Sequence, residues 1–240
     1  MTLILLAFLA CGPKAPADPS ALALDDADAA GRALSALPPG LYRIDDADAR
    51  LDTAIIAVHG LDSRGTEWAH PLEILEQQGV EVWWYGWKDR QCPDTGAAEL
   101  AAALDGFVSD HSGLERLIVV GHSYGGLIST LAAQDHSPGV PEQLHIVASP
   151  LGEHPQLQKL CKFNGVENKA AAEGTTWHQW RTVHEQDGAF KDLEVDPQVV
   201  ELPDLEVTQL PGEWKGERLG HNRSLTWFAE EVDVVGFSEE

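Results

Sequence analysis

Beyond about position 40, short apolar runs alternate with stretches whose apolar residues recur at helical spacing, which predicts a largely parallel sheet wrapped by helices. Thr53 to Val58 is rich in β-branched residues and apolar after its first position, as a buried strand requires. A helix is expected from Glu67, with Trp68, Leu72 and Leu75 on one face, followed by a strand over Val80 to Trp87. Leu100, Leu104, Phe107 and Val108 define another amphipathic helix. Leu117 to Val120 then reads as a buried strand running into Gly121, and Gly125-Gly126 opens a helix that carries Leu127, Ile128 and Leu131. Further strands are expected at Leu144 to Ala148, Trp180 to Val183 and Leu205 to Leu210, and a last helix from about Ser224 with Leu225, Phe228 and Val232 facing inward.

The start of the chain has a different character. Leu3 to Ala10 is an uncharged apolar run too brief to span a bilayer, ending in Phe8-Leu9-Ala10-Cys11-Gly12. Residues 1–11 resemble a bacterial lipoprotein signal peptide, in which cleavage leaves a lipid-modified cysteine as the new first residue. That resemblance implies export and membrane attachment through acyl chains on Cys11; an ordinary secretory signal or a core strand are the other readings. Residues 12–39 consist mostly of Ala, Asp and Pro and read as a flexible linker. Residues 40–240 form one expected domain, since a chain of 240 residues can bury one sizeable core.

Composition is that of an ordinary globular protein, with 43% hydrophobic and 23% charged residues. The net charge of −23 repels a phosphate backbone, so nucleic acid is not an expected partner. With Cys11 set aside, Cys92 and Cys161 remain, either a disulfide in an oxidising compartment or two buried thiols.

Chemistry enters with Gly121-His122-Ser123-Tyr124-Gly125. A serine between a buried strand and a helix, flanked by glycines, suits a strained turn that lifts its hydroxyl out of the sheet edge as a nucleophile. Such a hydroxyl needs a base to accept its proton, and the base needs an orienting acid. His221, in Leu219-Gly220-His221-Asn222 between the final strand and the last helix, is the candidate base. Asp187 lies between Ser123 and His221 in the chain and just after a strand; Glu185 is the alternative, and Asp192, Glu194 and Asp196 lie farther along. Attack on a carbonyl creates an oxyanion, for which the backbone N–H groups of Tyr124 and of Leu61, after the Thr53 to Val58 strand, are the candidate donors. No Cys or His pairs stand at zinc-ligand spacing, and the glycines around Ser123 lack the lysine of a phosphate loop, so no cofactor or metal is implied. Eight tryptophans are present, and Trp83, Trp84 and Trp87 are candidates for an apolar acyl pocket as well as for core packing.

Taken together, Ala57-Val58-His59-Gly60-Leu61, Gly121 to Gly126, Ser149-Pro150-Leu151-Gly152 and Gly220-His221 resemble, in order, the lipase and esterase branch of the α/β-hydrolases. The resemblance implies that fold, with a small or absent lid between Ala148 and Trp180, and makes His59 and His122 structural neighbours of the site. It favours Asp187, because Asp-Gly after a strand resembles the family's acid loop. The expected protein is therefore an exported serine hydrolase that cleaves a carboxylic ester or lipid through an acyl-enzyme on Ser123, His221 and Asp187. Thioesterase, amidase and acyltransferase chemistry on the same residues remain alternatives, as does a non-catalytic envelope binding protein on the same scaffold.

Overall fold

A computed structural model of the chain describes residues 22–44 and 50–236. The apolar runs become strands at β1 (Gly40–Arg43), β2 (Arg50–Val58), β3 (Val80–Gly86), β4 (Arg116–His122), β5 (Glu142–Val147), β6 (Thr175–Arg181) and β7 (Glu206–Gln209). They form one seven-stranded sheet in the order β1-β3-β2-β4-β5-β6-β7, parallel throughout except for the antiparallel edge strand β1. A two-stranded ribbon, β8 (Glu213–Trp214) with β9 (Glu217–Arg218), stands apart from it.

Both sheet faces are covered by helices, as an all-parallel core demands. In β2 the pattern alternates: Ala54, Ile56 and Val58 join the core beneath α3 (Pro93–Asp110) and α4 (Tyr124–Asp135), while Ile55 and Ala57 join the opposite core. That second core is closed by α2 (Thr66–Glu76), which supplies Trp68, Leu72 and Leu75, and by α6 (Gly220–Glu231), which supplies Leu225 and Phe228. The strand expected from Trp180 begins earlier, at Thr175. His178 and Gln179 interrupt the apolar pattern, yet both are buried, Gln179 donating to the Gln198 carbonyl at 2.8 Å.

The linker expected over residues 12–39 does not extend that far. Residues 27–35 fold into α1 (Ala27–Ser35), N-capped by Asp26, whose carboxylate accepts from the Ala29 N–H at 3.0 Å. Ala30 and Leu34, four residues apart and therefore on one face, are buried in the core. A Cβ at Gly31 would stand 2.5 Å from Thr66 Cγ2, so α1 seats closely on the start of α2. The expected signal peptide, Cys11 and most of the remaining linker lie outside the described residues.

The long segment between β5 and β6 contains only the short helix α5 (Pro155–Cys161), consistent with a small lid. Cys161 at its end bonds Cys92, which immediately precedes α3, across 69 positions of sequence, with Cα atoms 5.5 Å apart. Chain order and space part company between β3 and β4, which lie on opposite sides of β2. In open parallel sheets, the crevice at the carboxyl ends of strands beside such a reversal is where ligands bind.

Candidate active site

Ser123 occupies that crevice, at the turn between β4 and α4. Its backbone adopts φ 54° and ψ −125°, a conformation unfavourable for any residue with a side chain, and its N–H donates to the Val147 carbonyl at 2.9 Å. The flanking glycines are needed for close approach. A Cβ at Gly125 would lie 2.2 Å from the Val58 carbonyl oxygen, and one at Gly121 would lie 2.6 Å from Gly126 Cα. Because the obstacle at Gly125 is backbone, Gly125→Ala is expected to cost about 3 kcal/mol in a urea unfolding titration. Gly113→Ala, where a Cβ meets nothing within 4 Å, is the control and should stay near the wild type.

The structure brings Ser123, His221 and Asp187 together. Nε2 of His221 accepts from the Ser123 hydroxyl at 2.9 Å, and its Nδ1–H donates to Asp187 Oδ2 at 3.0 Å. His221 lies in the first turn of α6, not in the preceding loop; Gly220, at φ +59°, makes the sharp entry that begins the helix. The imidazole is flanked by the Phe190 ring, edge-on with centroids 5.0 Å apart, and by the His122 ring at 4.9 Å.

Asp187 is completely buried. Burial alone would raise its carboxyl, but hydrogen bonds from His221, Thr182 and the Ala189 N–H outweigh that cost and hold it below the ordinary carboxylate value. Thr182 is itself fixed by Gln198, whose Oε1 accepts from the Thr182 N–H at 2.9 Å. Glu185 is exposed in a short 3-10 turn and makes no such contact with His221. Thr182, Gln198 and Phe190 were not singled out from the sequence. Thr182 lies within the strand expected over Trp180 to Val183, five positions before Asp187, but nothing marks its hydroxyl as the carboxylate's partner.

His59 and His122 support the site from beneath. Burial and the nearby His221 push His122 down to about 3, so its neutral ring donates from Nε2 to the His221 carbonyl at 3.2 Å. His59, also lowered by burial, donates from Nδ1 to the Gly60 carbonyl at 2.9 Å and stacks on Trp84 with centroids 5.0 Å apart. Gly60 presses directly on the Ser123 turn, since a Cβ there would lie 2.8 Å from Ser123 Cβ. That approach sets the neighbouring Leu61 beside Ser123 and Tyr124 on the walls around the turn.

Ser123, His221, Asn222, Leu61 and Arg64 line a cavity of about 320 Å³ whose walls are mostly polar. None of Trp83, Trp84 and Trp87 lines it. Trp84 is buried against Trp68, Trp83 packs edge-on to Phe107, and Trp87 lies against Tyr124. Among the described residues, no cluster of His, Cys, Asp and Glu could hold a metal ion, and no helix is long and apolar enough to cross a membrane.

The buried histidines also set an acid limit on stability. His145, like His122, is pushed to about 3, by burial and by His178, whereas unfolded histidine titrates near 6.5. Between those values the unfolded chain holds the extra protons, so stability falls as pH drops from 6.5 toward 3. Glu142, raised by burial from 4.5 to about 7, acts oppositely between those two values and offsets one histidine there. The steepest loss is therefore expected below pH 4.5, at roughly 1.4 kcal/mol per pH unit for each histidine. Denaturant titrations from pH 7 to 3 should show it, and His145→Phe should flatten the slope below pH 4.5.

A parallel sheet with helices on both faces, a strained serine turn after β4 and a histidine bridged to a buried carboxylate define the α/β-hydrolase class. The chain belongs to the alpha/beta hydrolase fold family, whose model matches residues 43–180. No curated protein gives a match. Among solved structures, esterase 2 of Thermogutta terrifontis is similar at 14% identity and TM-score 0.55, over 83% of this chain and 91% of that one. Est1E of Butyrivibrio proteoclasticus is similar at 15% identity and TM-score 0.52, over 80% and 89%. A Pyrococcus furiosus esterase is similar at 16% identity and TM-score 0.51, over 80% of each chain. At these identities the likeness is one of fold.

Proposed function

We propose that the protein is a serine hydrolase that cleaves a carboxylic ester of a small molecule or lipid through an acyl-enzyme. The observation that carries this reading is the continuous hydrogen-bonded line from the Ser123 hydroxyl through His221 to the buried Asp187, opening on a solvent-accessible cavity. As Ser123 Oγ bonds to the acyl carbon, its proton passes to His221 Nε2. The tetrahedral oxyanion is held by the Leu61 and Tyr124 N–H groups. The bond to the alkoxy oxygen then breaks, and that oxygen takes the proton from His221, leaving the acyl group on Ser123. Water repeats the sequence, releasing the carboxylic acid and restoring the serine. Asp187 keeps Nδ1 protonated and balances the imidazolium without itself taking the proton.

Similar folds among proteins described as esterases agree with ester cleavage. Labelling with a fluorophosphonate probe and hydrolysis of p-nitrophenyl esters test the reading together. Folded wild type that does neither excludes it. For localisation, we read residues 1–11 as an export signal with lipidation at Cys11. The Cys92–Cys161 disulfide supports that reading, because such bonds persist in oxidising compartments.

A further inference from the structure

A second cavity, of about 430 Å³, adjoins the first across the Leu61 loop. Its walls include Leu61, Tyr124, Leu157, Leu160 and the disulfide pair Cys92 and Cys161. It differs from the first cavity in being predominantly apolar. Leu160 is 75% exposed and Leu61 45%, large apolar side chains left in water beside the nucleophile turn. Such an exposed apolar pair lining a cleft marks a binding surface more than a lone exposed leucine does.

We propose that this cleft holds the acyl chain of the substrate, and that the Cys92–Cys161 bond is the staple that keeps its leucine wall in place. The inference rests on the serine hydrolase reading and names its substrate: an ester of an apolar acid with a polar alcohol. Reaction geometry assigns the two halves. The alkoxy oxygen must receive a proton from His221 Nε2, so the alcohol belongs in the polar cavity that His221 and Asn222 line. The other substituent of the carbonyl carbon leaves in a different direction, past Tyr124 into the apolar cleft, which His221 does not line.

The staple connects this cleft to the nucleophile turn by a short physical route. The Tyr124 hydroxyl donates to the Gln91 carbonyl at 2.7 Å, which fixes the segment preceding α3 against the residue that follows Ser123. Cys92 is next in the chain, and its bond to Cys161 fixes the end of α5, one residue beyond Leu160. No residue of α5 is buried, so the helix has little of its own core to hold it. Breaking the disulfide removes the covalent restraint on Leu157 and Leu160 without touching Ser123, His221 or Asp187.

The test is the ratio of kcat/KM on p-nitrophenyl octanoate to that on p-nitrophenyl acetate, which share one leaving group. Leu160→Ser is expected to lower the ratio about tenfold, the scale of one partly buried leucine contact. The exposure of Leu160 makes it a substitution that the fold tolerates. Reduction with dithiothreitol, or Cys161→Ser, is expected to lower the ratio likewise. Val195→Ser, at an apolar residue 70% exposed and on the wall of neither cavity, should leave it unchanged. An unchanged ratio in Leu160→Ser, or one that Val195→Ser lowers equally, overturns the proposal. In either case, persistent Ser123-dependent fluorophosphonate labelling keeps the hydrolase reading standing, whereas loss of all labelling in folded wild type removes both.

Discussion

Ser123→Ala is expected to lower kcat on a p-nitrophenyl ester by on the order of 10⁶-fold and to abolish fluorophosphonate labelling, with the fold retained. The substitution deletes one oxygen. Alanine keeps the Cβ and so meets the same backbone restriction at φ 54° that serine already tolerates. His221 loses a hydrogen-bond partner but remains accessible to water through the cavity, so no buried donor is stranded. The size of the loss follows from the role proposed for the hydroxyl. Without it no acyl-enzyme forms, and what remains is the stabilisation that the Leu61 and Tyr124 N–H groups give to direct attack by water. A residual rate within tenfold of wild type would assign the nucleophile elsewhere. Thermal unfolding near the wild-type temperature is the accompanying check that the loss is chemical.

Much of the architecture was legible because buried parallel strands carry long apolar runs, as Ala54 to Val58 does in β2 and Leu117 to Val120 in β4. The serine turn was legible for a related reason: Gly121 and Gly125 face backbone at distances that no Cβ fits, so geometry forces the residue choice. The helix α1 is not legible because Ala dominates it and its buried stripe is only Ala30, Gly31 and Leu34. Its stability comes from the Asp26 cap and from contact with α2, neither of which periodicity expresses. His221 reads as a loop residue because it falls before the apolar stripe of the last helix and follows Gly220; the left-handed Gly220 instead starts the helix. For Cys92 and Cys161 the sequence leaves a disulfide and two buried thiols both open, because the choice depends on how α5 packs beside the start of α3. The leucine wall is hidden for the same reason: Leu61 comes from the loop after β2 and Leu160 from α5, on opposite sides of Ser123 in sequence, and they meet only across a cleft.

Asp187→Asn is expected to lower kcat by about 10⁴-fold at neutral pH with little change in KM. Asp187 touches His221 and not the substrate cavity, so ground-state binding gives it no role. The change is nearly isosteric, yet it reverses the hydrogen-bond logic. Oδ2 now accepts from both His221 Nδ1 and the Thr182 hydroxyl, and Oδ1 accepts from the Ala189 N–H. An amide has only one oxygen to serve these three donors. If that oxygen faces Thr182 and His221, its NH₂ group opposes the Ala189 N–H; if it turns to Ala189, the NH₂ group forces the proton of His221 onto Nε2, where it cannot accept from Ser123. The first arrangement sets the buried amide NH₂ at position 187 against another donor, at a cost of about 1–3 kcal/mol, so the second competes with it and removes the base. Even in the first, the imidazolium formed during the reaction lacks its counter-charge. Glu185→Gln, at an exposed carboxylate with no contact to His221, should retain the wild-type rate. The opposite pair of results, with Glu185→Gln inactive and Asp187→Asn active, would mean that the loop rearranges in solution and that Glu185 is the orienting acid.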